Sequence, residues 1–116
     1  MAEGKRVEDF LKNFKPQNPG AEIKISGGID RGPLVRSEQV VELFQKARTC
    51  AGEMGIDLQE VAVGGVSDGN ITSALGIPTL DGLGPVGDGA HAQHEHILLT
   101  ETLQRTELLY RLLLTL

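Results

Sequence analysis

Within its first thirty residues the chain carries one amphipathic helix pattern and one alternating strand pattern, and Gly27-Gly28 then cuts both off. Val7, Phe10, Leu11 and Phe14 recur at helical spacing before Pro16 ends the run. After Gln17-Asn18-Pro19-Gly20, Ile23 and Ile25 alternate with Glu22, Lys24 and Ser26, which predicts a strand over 21–26. A lone helix–strand pair cannot bury both of its apolar faces, so its partners must lie elsewhere. The pair therefore reads as the tail of a separate small domain, and the chain as an incomplete piece of a longer protein.

After residue 37 the pattern changes to alternating strands and helices, the mark of an α/β domain. Ser37 is a suitable N-cap for a long helix with Glu38 in its first turn. Val40, Val41, Leu43, Phe44, Ala47, Ala51 and Met54 form its apolar stripe, and Gly55 is a natural stop. A short strand is expected near Val61 to Val63, then a glycine-rich turn over Gly64 to Asn70. A short helix over about 70–75 and a second strand around 77–80 follow. The loop from Gly82 to Ala90 leads to His91, a strand near 96–99, and a final helix from about Glu101. That helix has Leu103, Leu108, Leu109, Leu112 and Leu113 to bury.

Composition narrows the function. The 116 residues carry a formal charge of −5 with no Lys/Arg cluster, which argues against nucleic acid, because phosphate binding needs a basic face. The single cysteine, Cys50, cannot close an internal disulfide and fits a reducing cytoplasm; its place near the apolar stripe makes it a core residue. The N-terminal MAEGKRVEDF lacks the apolar region of a signal peptide. The apolar run TELLYRLLLTL is short and interrupted by Glu107 and Arg111, so it reads as a core helix and not a membrane span.

Three stretches could carry chemistry. GDGAHAQHEHI holds His91, His94 and His96, with His94 and His96 on one face of a strand and His91 in the loop before it. Their spacing alone leaves both metal ligation and solvated surface imidazoles open, because a site needs three or four converging ligands. Asp81, Asp88 and Glu95 stand nearby as carboxylates that could orient an imidazole. The Gly64–Asn70 turn, between a strand and a helix start, could hold an anion on its backbone N–H groups, or simply be capped by Ser67 and Asp68. It is no Walker loop, since no Lys-Ser/Thr follows. Arg31 and Arg36 flank Gly32-Pro33, and either could grip a carboxylate through two parallel hydrogen bonds.

Taken together, RGPLVR, the long helix and VGGVSDGNITSALGIPTLDGLGPVGDGAHAQHEHILL resemble family twenty of the metallopeptidases over nearly the whole chain. That family includes glutamate carboxypeptidase, acetylornithine deacetylase, succinyl-diaminopimelate desuccinylase and aminoacylase, and the likeness is greatest to the glutamate carboxypeptidase-like branch. The resemblance implies a catalytic α/β/α domain with two zinc ions and an inserted α+β domain that mediates dimerisation. On that plan residues 1–28 are the last helix and strand of the insert, and 29–116 are the C-terminal part of the catalytic domain. The implied activity is hydrolysis of a peptide or N-acyl amide bond that releases a carboxylate-bearing amino acid. The full-length enzyme would be a homodimer, with no nucleic-acid or membrane partner. The family's last metal ligand falls on His91, its carboxylate-binding arginine on Arg31, and its substrate-lining turn on Gly65, Val66 and Ser67; Glu95 and Asp81 are left as supporting carboxylates.

Two departures from the family pattern stand out. Val66 replaces the Gly, Thr or Ser common in relatives and removes any side-chain hydrogen bond there. The chain also has no EE pair, which would include the general base, and no HxDxV run. This chain alone is therefore expected to be inactive and to bind zinc weakly. The rival expectation is a truncated, non-catalytic remnant that serves only as a binding or assembly module.

Overall fold

Helix α1 (Ala2–Asn13) opens the computed structural model, which describes residues 2–116. It begins earlier than the apolar spacing predicts, because Glu3 in its first turn pairs with Arg6 one turn on, and it ends before Pro16. Its stripe is real: the Phe10 and Phe14 rings sit 5.5 Å apart and tilted by 55°. Yet no residue of α1 is buried. Residues 21–26, expected as a strand, pair with nothing among the described residues. Ile23 and Ile25 stay 44% and 46% exposed. A strand exists only where a neighbour supplies its ladder, and alternation cannot provide one. The chain returns along α1 at Ile29, whose Cδ1 lies where a side chain on Gly4 would begin.

Helix α2 (Glu38–Glu53) forms as its sequence requires. The Ser37 hydroxyl accepts from the Val40 amide at 3.3 Å. At the far end Ile56 N–H donates to Ala51 O at 2.9 Å and Gly55 N–H to Gly52 O at 3.0 Å, with Gly55 at φ +72°. This is a Schellman closure, and the left-handed residue it needs is why glycine stands there. Helix α3 (Gly69–Ala74) begins one residue before the expected start.

Strands β1 (Gly87–Asp88) and β2 (His96–Ile97) pair antiparallel, Gly87 against Ile97 and Asp88 against His96. The segments expected as strands at 61–63 and 77–80 are irregular, with Val61, Val63 and Ile77 largely exposed. Their alternation meets no adjacent strand among the described residues, which is the same physical reason as at 21–26.

Helix α4 (Leu99–Thr115) packs on α2. Phe44, Ala47, Cys50 and Ala51 meet Leu108 and Leu112, with Leu58 closing one edge and Met54, Ile56, Leu80 and Leu83 half-buried around them. Cys50 is a core residue, as its place near the stripe predicts. Of the five leucines that α4 was expected to bury, only Leu108 and Leu112 are buried; Leu103, Leu109 and Leu113 are exposed. One neighbouring helix covers one stripe, and the other face of α4 would need another layer. The radius of gyration is 19.6 Å, against about 13 Å for a compact chain of this length. No helix among the described residues is long and apolar enough to cross a membrane.

Candidate functional site

The connector after Gly27-Gly28 and the glycine-rich turn before α3 are far apart in sequence, and side chains bring them together. Arg31 Nη1 donates to the Ser67 carbonyl at 3.4 Å and to Asp68 Oδ1 at 3.0 Å. Its Nε lies 3.6 Å from Asp30 Oδ2. The Arg31 side chain is 35% exposed, while both carboxylates are more than nine-tenths exposed. Asp68 stands at the N-cap position of α3, and the Ser67 hydroxyl, one residue earlier, accepts from the Gly69 amide at 3.1 Å. Asp68 makes no cap bond and faces Arg31 instead. Gly65 and Val66 lie in the same turn, and Val66 points largely into solvent at 66% exposure.

Asn70 holds this junction and was not singled out from the sequence. Its Oδ1 accepts from the Ser67 amide at 3.0 Å, and its Nδ2 donates to the Gly32 carbonyl at 2.8 Å. It is 6% exposed, and both halves of its amide are matched, as burial of a polar group demands. An asparagine at a helix start, three residues after Ser67, is the capping arrangement that could have revealed it. Further along, the Val35 amide donates to Ser73 Oγ at 3.4 Å, and Thr72 and Thr79 hydroxyls meet at 2.8 Å. The connector thus runs beside α3, which in turn is tied to the segment after it.

Arg36 takes a different role from Arg31. Its Nε and Nη2 reach the two carboxylate oxygens of Glu60 at 2.9 and 2.7 Å, a fork-to-fork pair. Those hydrogen bonds hold the Glu60 carboxyl below its ordinary range and raise the Arg36 guanidinium. Arg36 is thereby committed to tying the start of α2 to the chain that follows it.

His91 sits on the loop between β1 and β2. The Ala92 amide bonds back to Gly89 O at 2.8 Å, a tight turn whose third position is His91 at φ +67°. Among the described residues His91 is the non-glycine residue in the left-handed region, a conformation that costs an L-residue about 1–2 kcal/mol. Backbone strain of this kind gathers at functional sites. His94 and His96 do not share a strand face, because β2 begins only at His96. The His94 ring lies against Gly89, and His96 Nδ1 is 3.0 Å from the His94 carbonyl. All three imidazoles are exposed, as are Glu95 and Asp81, and no hydrogen bond joins either carboxylate to His91 among the described residues.

Among the described residues no group of three or more His, Cys, Asp or Glu side chains converges well enough to hold a metal ion. The residues present therefore do not form a complete metal centre by themselves. Two surface clefts lie apart from these side chains, one beside Lys46, Cys50 and Arg111, the other beside Ser37, Ser73 and Pro78. What the structure assembles is a guanidinium seated on a glycine-rich turn, plus a strained histidine at a hairpin tip. The model of peptidase family M20/M25/M40 matches residues 8–115. No curated protein and no solved structure matches the chain.

Proposed function

Because the chain belongs to peptidase family M20/M25/M40, a family of generally metal-dependent hydrolases, we propose that it is the C-terminal part of a zinc-dependent, glutamate carboxypeptidase-like enzyme. That enzyme hydrolyses a peptide or N-acyl amide bond and releases a carboxylate-bearing amino acid. Residues 1–28 belong to an inserted domain through which the full-length enzyme dimerises, and 29–116 to the catalytic domain. The exposed apolar faces of α1 and α4 support this division, since each calls for a layer that the chain does not supply. His91 contributes one metal ligand and Arg31 holds the substrate carboxylate, with Gly65, Val66 and Ser67 lining the substrate. The general base and the other ligands come from outside this chain, which on its own is inactive.

The observation that supports this reading is the seat of Arg31 on the Gly65–Ser67 turn. A guanidinium presents two parallel N–H groups to a carboxylate. Its present anionic partners, Asp30 and Asp68, are almost fully in water, where such pairs contribute little, so an incoming carboxylate competes with weak contacts. Seated beside backbone, the guanidinium fixes one end of the substrate, and the amide to be cleaved is positioned by that anchor.

The test uses the complete enzyme that carries this chain. Arg31→Ala should lower kcat/KM by about 2–4 kcal/mol, on the order of a hundredfold, and Arg31→Lys should restore the charge but not the two-pronged geometry. Metal content should stay normal in both variants and fall in His91→Ala. A substrate whose terminal carboxylate is replaced by an amide should be poor for the wild type and little worse than the parent substrate for Arg31→Ala. If Arg31→Ala keeps the wild-type preference for the free carboxylate, the assignment is wrong.

A further inference from the structure

We propose that Asn70 is a positioning residue whose amide locks the connector to the glycine-rich turn and so holds Arg31 in its seat. Asn70 is the buried polar side chain among the described residues, and both of its hydrogen bonds leave α3. One reaches the Ser67 amide, next to the carbonyl that receives Arg31. The other reaches the carbonyl of Gly32, the residue directly after Arg31. The two bonds therefore bracket the two ends of the Arg31–Ser67 contact. The amide must face this way: reversed, its NH2 would oppose the Ser67 N–H and its oxygen the Gly32 carbonyl. Few side chains could replace it. An ionised aspartate loses the donor, a leucine loses both bonds, and a glutamine is one methylene too long for a buried slot.

The remaining contacts between connector and α3 lie further along, at Val35 with Ser73 and at Leu34 with Gly69. They do not restrain Arg31 directly, because Gly32 and Pro33 separate it from Leu34 and Val35. The polar partners of Arg31 are two exposed carboxylates and one backbone carbonyl, contacts too weak by themselves to order a long, rotamer-rich side chain. Its order comes from the backbone on either side, and Asn70 is what fixes that backbone. The purpose of the lock, a carboxylate clamp, rests on the function proposed above; the lock itself does not.

The experiment labels arginines in the intact chain with a dicarbonyl reagent and, in a parallel sample, the cysteine with a thiol-alkylating reagent, and reads each site by mass spectrometry. It compares wild type with Asn70→Ala and with Asn70→Leu, which keeps the buried volume. Arg36, held by Glu60 outside the junction, and the Cys50 thiol in the core serve as internal references. Arg31 should react about five- to tenfold faster in both variants, with Arg36 and Cys50 at wild-type rates. Unchanged Arg31 reactivity would overturn the proposal. So would equal acceleration at Arg31, Arg36 and Cys50, because Asn70 would then support the whole fold and not one side chain. No substrate enters the measurement, so its failure is distinct from failure of the kinetic test of Arg31.

Discussion

Replacing Gly87 by alanine should open the hairpin that carries His91. A side-chain carbon on Gly87 would stand 2.0 Å from the His96 carbonyl oxygen, 3.0 Å from its carbon and 3.1 Å from the Ile97 Cα. All three are backbone atoms, so no rotamer relieves the clash, and β1 and β2 must separate by more than an ångström to restore ordinary contact. The strands pair over only two residues each, with the Leu98 amide bonded to Val86 O at 2.8 Å just beyond them. A separation of that size breaks two or three of these bonds. At about 1 kcal/mol net apiece, local opening becomes easier by about 2–3 kcal/mol, or roughly a hundredfold in its equilibrium. The helical core lies elsewhere, so the loss should be local. Amide hydrogen exchange by NMR tests this: Leu98 should exchange on the order of a hundredfold faster in Gly87→Ala, while amides inside α2 keep their wild-type rates. Gly84→Ala is the control in the same loop, since nothing lies within 4 Å of the added carbon and its backbone is unstrained. Equal Leu98 exchange in wild type and Gly87→Ala would refute the close approach of the two strands.

Two further outcomes follow from the core and from the surface. Leu108→Ala removes a fully buried side chain between α2 and α4 and should destabilise the chain by about 2–4 kcal/mol in denaturant melts; exposed Leu113→Ala should change stability by less than about 0.5 kcal/mol. The Glu60 carboxyl is held low by Arg36, so its contribution is complete above the ordinary carboxylate value and is lost as pH falls through the lowered folded value. The melting-temperature gap between wild type and Glu60→Gln should therefore shrink between about pH 7 and about pH 3, and a gap that widens on acidification would reverse the sign of the coupling.

The helices were legible because their determinants are local. Ser37, the stripe from Val40 to Met54 and Gly55 specify α2 from cap to Schellman closure without reference to the rest of the chain. Glycine-rich text likewise marked the turn at 64–70 and the loop before His91 as breaks in regular structure. The strands were not legible in the same way. Residues 21–26, 61–63 and 77–80 alternate or run apolar, but a strand is a relation between two segments, and only 87–88 with 96–97 found a partner among the described residues. The same limit governed α4, whose leucines announce a helix but not which face will be covered; contact with α2 selected Leu108 and Leu112. At the site, residue types alone left Arg31 and Arg36 equivalent. Tertiary structure separated them, committing Arg36 to Glu60 and setting Arg31 on a turn thirty-six residues away. Asn70, which joins those distant segments, is one polar residue in a short helix until folding removes it from water; burial then makes each of its hydrogen bonds obligatory.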